Sequence, residues 1–181
     1  MDRGLPALTG GRTRFSLALP QRQARLAFLA LTYHLGRPGS EIDPATLKQG
    51  RKGLSGVRPV LEKQLDEEEA TLELTPFQLT LLGSALLGAL NELKLYSLLD
   101  TMAAQSTRPR STVAGFETAL LRLFPQLTAD PALASDLAQE ILLTRRQLTP
   151  TIGRAEELLR EEKEAAEEAK RRRWPWQFRR R

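Results

Sequence analysis

A single histidine, His34, and the absence of cysteine set narrow limits on the side-chain chemistry open to this chain. Without a thiol there is no disulfide, no thiolate nucleophile and no cysteine-ligated zinc. One imidazole argues against His-rich metal sites and H-E-x-x-H zinc chemistry, and leaves a Ser-His-Asp triad with one residue to build on. His34 falls near the end of an apolar-periodic segment, where an imidazolium would meet the negative end of a helix dipole, and no carboxylate lies near it at ligand spacing. A helix-end side chain is the expected role. Asp66, Glu67, Glu68 and Glu69 are consecutive, so on a helix they point in different directions and cannot converge on one ion. Asp136 and Glu140 share a helix face but lack the Glu-x-x-His partners of a carboxylate-bridged metal pair. The expectation is a chain with no catalytic residue, no metal site and no cofactor.

Two basic clusters are better suited to binding. The run Lys48-Gln49-Gly50-Arg51-Lys52-Gly53-Leu54-Ser55-Gly56 combines three cations with glycines that can present backbone N–H groups to an anion, as phosphate-holding loops do. Neither G-x-x-x-x-G-K-[ST] nor G-x-G-x-x-G can be read through it, and a plain flexible connection has the same composition. Lys48, Arg51 and Lys52 are the anion-binding candidates of the body. The second cluster closes the sequence with Lys170, Arg171, Arg172, Arg173, Trp174, Trp176, Phe178, Arg179, Arg180 and Arg181, and it holds both tryptophans of the chain. Trp and Phe favour burial, while Pro175 stops a helix beneath them.

In composition these twelve residues resemble short Trp- and Arg-rich cationic peptides that sit in membrane interfaces. The resemblance implies attraction to anionic lipid together with shallow insertion of rings. The same residue types suit stacking on single-stranded RNA or DNA. A third reading packs the rings onto the protein itself or a partner subunit. The lack of Ser and Gly among the arginines favours lipid or protein over RNA.

Charge distribution supports a terminal device. The chain carries 27 Lys and Arg against 22 Asp and Glu, a net charge of +5. Seven of the basic residues lie beyond residue 169, so 20 bases face 22 acids in the remainder, a net of −2. A domain that reads polyanions through its folded face carries its basic surface within the domain. No secretory signal is visible near Asp2 and Arg3, which points to a cytoplasmic protein, peripheral at the inner face of a membrane if the tail binds lipid. The eighteen uncharged residues from Leu74 to Asn91 include Thr75, Pro76, Gln78 and Thr80, and they read as a buried core helix rather than a span.

The elements that must position these residues are mostly helices. Residues 1–12 read as a loose N-terminal arm. Phe15-Ser16-Leu17-Ala18-Leu19 alternates like a strand and ends at Pro20, after which Leu26, Leu29, Ala30 and Tyr33 line one helix face up to Gly36, a residue able to close the helix in a left-handed conformation. Asp43-Pro44, Thr75-Pro76, Asp130-Pro131 and Thr149-Pro150 each pair a capping side chain with a proline, and Thr75-x-x-Gln78 adds a capping box. The pattern predicts helices near 44–49, 59–69, 76–99, 111–124, 131–147 and 150–172.

Thr71-Leu72-Glu73-Leu74 alternates as well, and an offset of 55 residues lays Leu17, Leu19, Leu26, Ala30 and Leu31 over Leu72, Leu74, Leu81, Ala85 and Leu86. Two such strands can satisfy their backbones only by pairing with each other. Within 76–99, apolar residues occupy every helical angle, and Gly83, Ser84 and Gly88 permit close approach of a neighbour. From Thr149 the acids come early and the bases late. Glu156 with Arg160, Glu167 with Arg171 and Glu168 with Arg172 are favourable i, i+4 pairs, so this helix can persist without packing.

The expected architecture is mainly α. A compact helical domain over 13–148 carries a small two-stranded β ribbon, a charged C-terminal helix over 149–172 projects from it, and a basic aromatic tail follows over 173–181. The expected function is a non-catalytic adaptor, assembly or scaffold protein that attaches to an anionic membrane surface or a protein complex through that tail. The alternative is an RNA- or ribosome-associated protein using the same tail for phosphate contacts and base stacking.

Overall fold

Phe15–Pro20 (β1) and Glu69–Leu74 (β2) form an antiparallel two-stranded sheet with Phe15 facing Leu74, Leu17 facing Leu72 and Leu19 facing Ala70. The computed structural model describes residues 13–42, 53–102, 111 and 113–173, and the chain is mainly helical, with five α-helices around this ribbon among the described residues. Alternation does the sorting: Leu19, Ala70, Leu72 and Leu74 are buried, while Ser16, Ala18, Thr71 and Glu73 face outward. Each strand feeds straight into a helix, β1 into Gln21–Gly36 (α1) and β2 into Pro76–Met102 (α3), with Arg58–Glu62 (α2) between them.

The 55-residue offset acquires a geometric meaning here. It links the two helix starts, Gln21 and Pro76, and it links Leu17 with Leu72, which face each other across the ribbon. It also links Tyr33 with Gly88, and these touch where α1 crosses α3: a Cβ on Gly88 would collide with the Tyr33 ring.

Thr75 and Gln78 form the expected capping box. The Gln78 N–H donates to the Thr75 hydroxyl oxygen at 3.2 Å, and the Thr75 N–H donates to the Gln78 side-chain oxygen at 3.0 Å. Gly83 meets Ile152 and Gly88 meets Tyr33, the close approaches the small residues permit; Ser84 is exposed and takes no part. α3 is the central helix, packed on α1 and on Leu133–Arg173 (α5), but Leu87, Asn91 and Leu95 leave one of its sides open to solvent. No helix among the described residues is long and apolar enough to cross a membrane.

α5 runs antiparallel to α3. Its buried stripe extends from Ala134 to Ala155, and Ile152 sits on Gly83 near the start of α3. A parallel arrangement would lay Arg160–Lys170 along the second half of α3, yet these residues are exposed.

Several predicted boundaries move. The helices at 131–147 and 150–172 are one helix of 41 residues with Pro150 inside it. Proline is tolerated because Arg146, Gln147, Thr149 and Pro150 face water, which can satisfy the carbonyl that loses its partner, while Leu148, Ile152 and Ala155 stay packed. The Thr149 hydroxyl donates to the Arg145 carbonyl at 3.0 Å in the same turn. The boundary drawn at residue 148 therefore falls within a helix. The segment 59–69 is helical only as far as Glu62, and β2 starts at Glu69. The segment 111–124 is helical over Phe116–Leu123 (α4), because Ser111 is held by the buried Glu92 carboxylate at 2.6 Å and Gly115 caps α4 at φ 75°.

Asp130 caps the start of α5 through the Ala132 N–H at 3.1 Å. Gly36 does not close α1 in a left-handed conformation; positive φ occurs only at Gly39 and Gly115 among the described glycines. What Gly36 provides is room, since a Cβ there would strike the Ala114 carbonyl oxygen. The helix predicted over 44–49 lies outside the described residues.

Candidate functional site

Of the terminal cluster, Lys170 and Arg171 are exposed on the last described turn of α5, and the backbone of Arg172 and Arg173 completes the helix. Trp174, Trp176, Phe178, Arg179, Arg180 and Arg181 lie outside the described residues. The supporting element is informative: every side chain from Arg160 to Arg171 is exposed, so α5 leaves the body after the half-buried Leu158 and Leu159. Residues 160–173 add about 21 Å of helix beyond that point.

Lys48, Arg51 and Lys52 also lie outside the described residues, but the glycine-bearing half of their loop is described. Its N–H groups hold a carboxylate already. Glu41 accepts from the N–H of Gly53 at 2.9 Å, of Ser55 at 3.0 Å and of Leu54, and from the Ser55 hydroxyl at 3.1 Å. The anion cradled by this loop is thus supplied by the chain itself. Glu41 was not legible as a partner, because it lies 12 positions from Gly53.

His34 differs from the expected helix-end side chain. It is 4% exposed, with its Nε2 3.7 Å from a Glu41 oxygen, so a carboxylate does lie beside it. Burial pushes the imidazole below its ordinary value, and Arg37 adds to that; Glu41 pulls the other way. Desolvation outweighs the nearby carboxylate because Glu41 is already committed to backbone donors. The Ser55 hydroxyl donates to the carboxylate rather than to the imidazole, which is the reverse of the order that activates a serine nucleophile. The cluster closes a loop.

The acidic run sits on no helix. Asp66, Glu67 and Glu68 occupy the turn before β2 and Glu69 opens the strand, all exposed. Asp66 lies 3.7 Å from Arg25, whereas the carboxylates of Glu67, Glu68, Glu69 and Glu73 meet no cation among the described residues. Glu140 forms a two-bond pair with Arg22 at 2.6 and 2.7 Å, which holds the guanidinium above its ordinary value. No group of three metal-ligating side chains occurs among the described residues.

Two concavities are formed by described residues. One of about 500 Å³ lies between Arg25, Glu62, Asp66 and Arg122, next to Phe28, whose ring centroid is 5.3 Å from the guanidinium carbons of both Arg58 and Arg122. Its charges are already paired, Arg122 with Glu62 and Arg25 with Asp66. The other, of about 710 Å³, lies between α2 and the outer edge of β2 and is lined by Val57, Val60, Thr71, Leu72, Glu73 and Gln78, among others.

A two-stranded ribbon has the dimensions to enter a DNA major groove. Here the outward face carries Glu69 and Glu73 and no cation within either strand, so phosphates would be repelled. No known family model, curated protein or solved structure shows significant similarity to this chain.

Proposed function

We propose that the protein is a non-catalytic helical adaptor that attaches to an anionic membrane surface through the basic aromatic end of α5. The observation that carries this reading is the solvent exposure of every described side chain from Arg160 onward, on a helix that continues to Arg173. A segment meant to pack on its own body has no use for such a spacer. Seven positive charges lie beyond residue 169. Each contributes at best about 1 kcal/mol near an anionic surface, and less in salt, so attachment is reversible. The acidic ribbon face disfavours nucleic acid on the body and leaves the tail as the contact.

Because Trp174 and Trp176 are the only tryptophans, intrinsic emission reports on the tail alone. Anionic vesicles are expected to shift the emission to the blue and shield it from aqueous quenchers, with neutral vesicles doing little. Quenching by single-stranded RNA with a steep salt dependence, and no response to vesicles, would replace lipid with nucleic acid as the target.

A further inference from the structure

The outer edge of β2 is uncovered at Glu73, while at Thr71 a side chain that an incoming strand would displace stands in for a strand. Gln64 imitates one there: its side-chain oxygen accepts from the Thr71 N–H at 2.8 Å and its amide nitrogen donates to the Thr71 carbonyl at 3.3 Å. Both backbone groups of Thr71 therefore point away from β1, and by the period of two so do those of Glu73. No described residue bonds the Glu73 backbone groups. Beside this edge runs the 710 Å³ groove, floored by Leu72 and walled by Val57 and Val60, the last 48% exposed. Its charged lining residues are Glu73 and Arg14, and Glu67, Glu68 and Glu69 lie exposed at the start of the same strand; these four carboxylates are unpaired among the described residues.

A fitting occupant is an extended segment with apolar side chains at every second position and basic residues next to them. The chain contains one. Trp174, Trp176 and Phe178 alternate with Pro175 and Gln177, and Arg179, Arg180 and Arg181 follow. We propose that residues 174–181 of a second copy of this chain dock along the outer edge of β2, with the alternate aromatics in the groove and the arginines on the four carboxylates. Main-chain pairing supplies affinity in this mode, and alternate side chains supply specificity.

The projecting arm favours the tail of a second copy over the chain's own, because the exposed part of α5 beyond Leu159 extends the helix by about 21 Å before residue 174. Two α5 arms side by side and antiparallel bring each basic end to the other body. They also lay Glu156–Glu168, with seven acids and two bases, against the four bases of Lys170–Arg173. Pro175, which has no N–H to donate, belongs beside Thr75 at the end of the edge, where the Thr75 carbonyl already accepts from the Leu79 N–H at 3.0 Å and the Thr75 N–H is taken by Gln78.

The test is sedimentation of the full chain over a concentration series without lipid, with tryptophan emission read in parallel. The expected result is a monomer–dimer equilibrium in which emission turns blue and quencher-protected as dimer forms. Val60→Arg and, separately, Trp176→Ala should each weaken association at least tenfold; Val60 is exposed, and circular dichroism checks the fold of both variants. Glu69→Lys with Glu73→Lys should also weaken it, and adding Arg179→Glu with Arg181→Glu should restore it. A monomer at every concentration overturns the proposal. So does a dimer that is indifferent to Val60→Arg, or one whose tryptophan emission does not change with assembly.

Discussion

The Glu41 carboxylate accepts from three consecutive backbone N–H groups and a hydroxyl, which ties the two ends of the segment between residues 41 and 53 together. An amide in its place keeps one acceptor oxygen and removes the charge. Glu41→Gln is expected to destabilise the fold by about 2 kcal/mol in urea titration. His34 gives this corner a pH dependence whose sign follows from burial. Its imidazole is held below the ordinary value of 6.5 in the folded chain, so the unfolded chain takes up the proton first as pH falls. His34 therefore contributes stability that is present above about pH 6.5 and is lost as pH falls through the lower folded value. The groups facing it, Arg37 and Glu41, modify this without reversing it. The unfolding temperature should decline as pH falls below about 6.5, and His34→Gln should flatten the decline, with calorimetry as the measurement.

At the scale of elements, α5 shows tertiary packing overriding a local breaker. Pro150 inside the helix forgoes a backbone bond for which the wild-type chain receives nothing visible, since its surroundings face solvent. Pro150→Ala is expected to raise stability by about 1–3 kcal/mol, read as a higher midpoint in denaturant. A loss of stability would mean that the local bend is needed to seat Ile152 on Gly83. The opposite outcome is expected at Gly88, where α1 and α3 cross. Gly88→Ala should cost about 1–3 kcal/mol, and combining it with Tyr33→Leu should recover part of the loss, because the collision is with the Tyr33 ring.

The whole molecule divides by contact rather than by sequence position. Ala155 is buried, Leu158 and Leu159 are half-buried, and beyond them every described side chain of α5 is exposed. Deleting residues 160–181 should leave the unfolding free energy of the dilute chain within about 0.5 kcal/mol of the intact protein. A larger loss, measured by urea titration at the same low concentration, would show that the arm or tail packs on its own body. That outcome would also remove the basis for reading the tail as an attachment device.

Period and punctuation were enough for much of this architecture. The period-two runs at Phe15 and Thr71 became strands, Thr75 and Gln78 capped α3, and the apolar character of 76–99 made it the central helix, because each depends on neighbours a few residues apart. The dipole-ordered charges after Thr149 likewise foretold a helix that needs no packing to persist. Where local signals and packing disagreed, packing prevailed: Pro150 lies within a helix since the stripe through Leu148, Ile152 and Ala155 holds both halves to α3, and the run at Asp66 became a turn because β2 had to begin in register with β1. The partnerships of Glu41 with the loop at Gly53, of Gln64 with the edge of β2 and of Arg22 with Glu140 join residues 7 to 118 positions apart. No periodicity encodes such meetings. They exist only once burial has brought distant segments together and left each buried or half-buried polar group to find a partner.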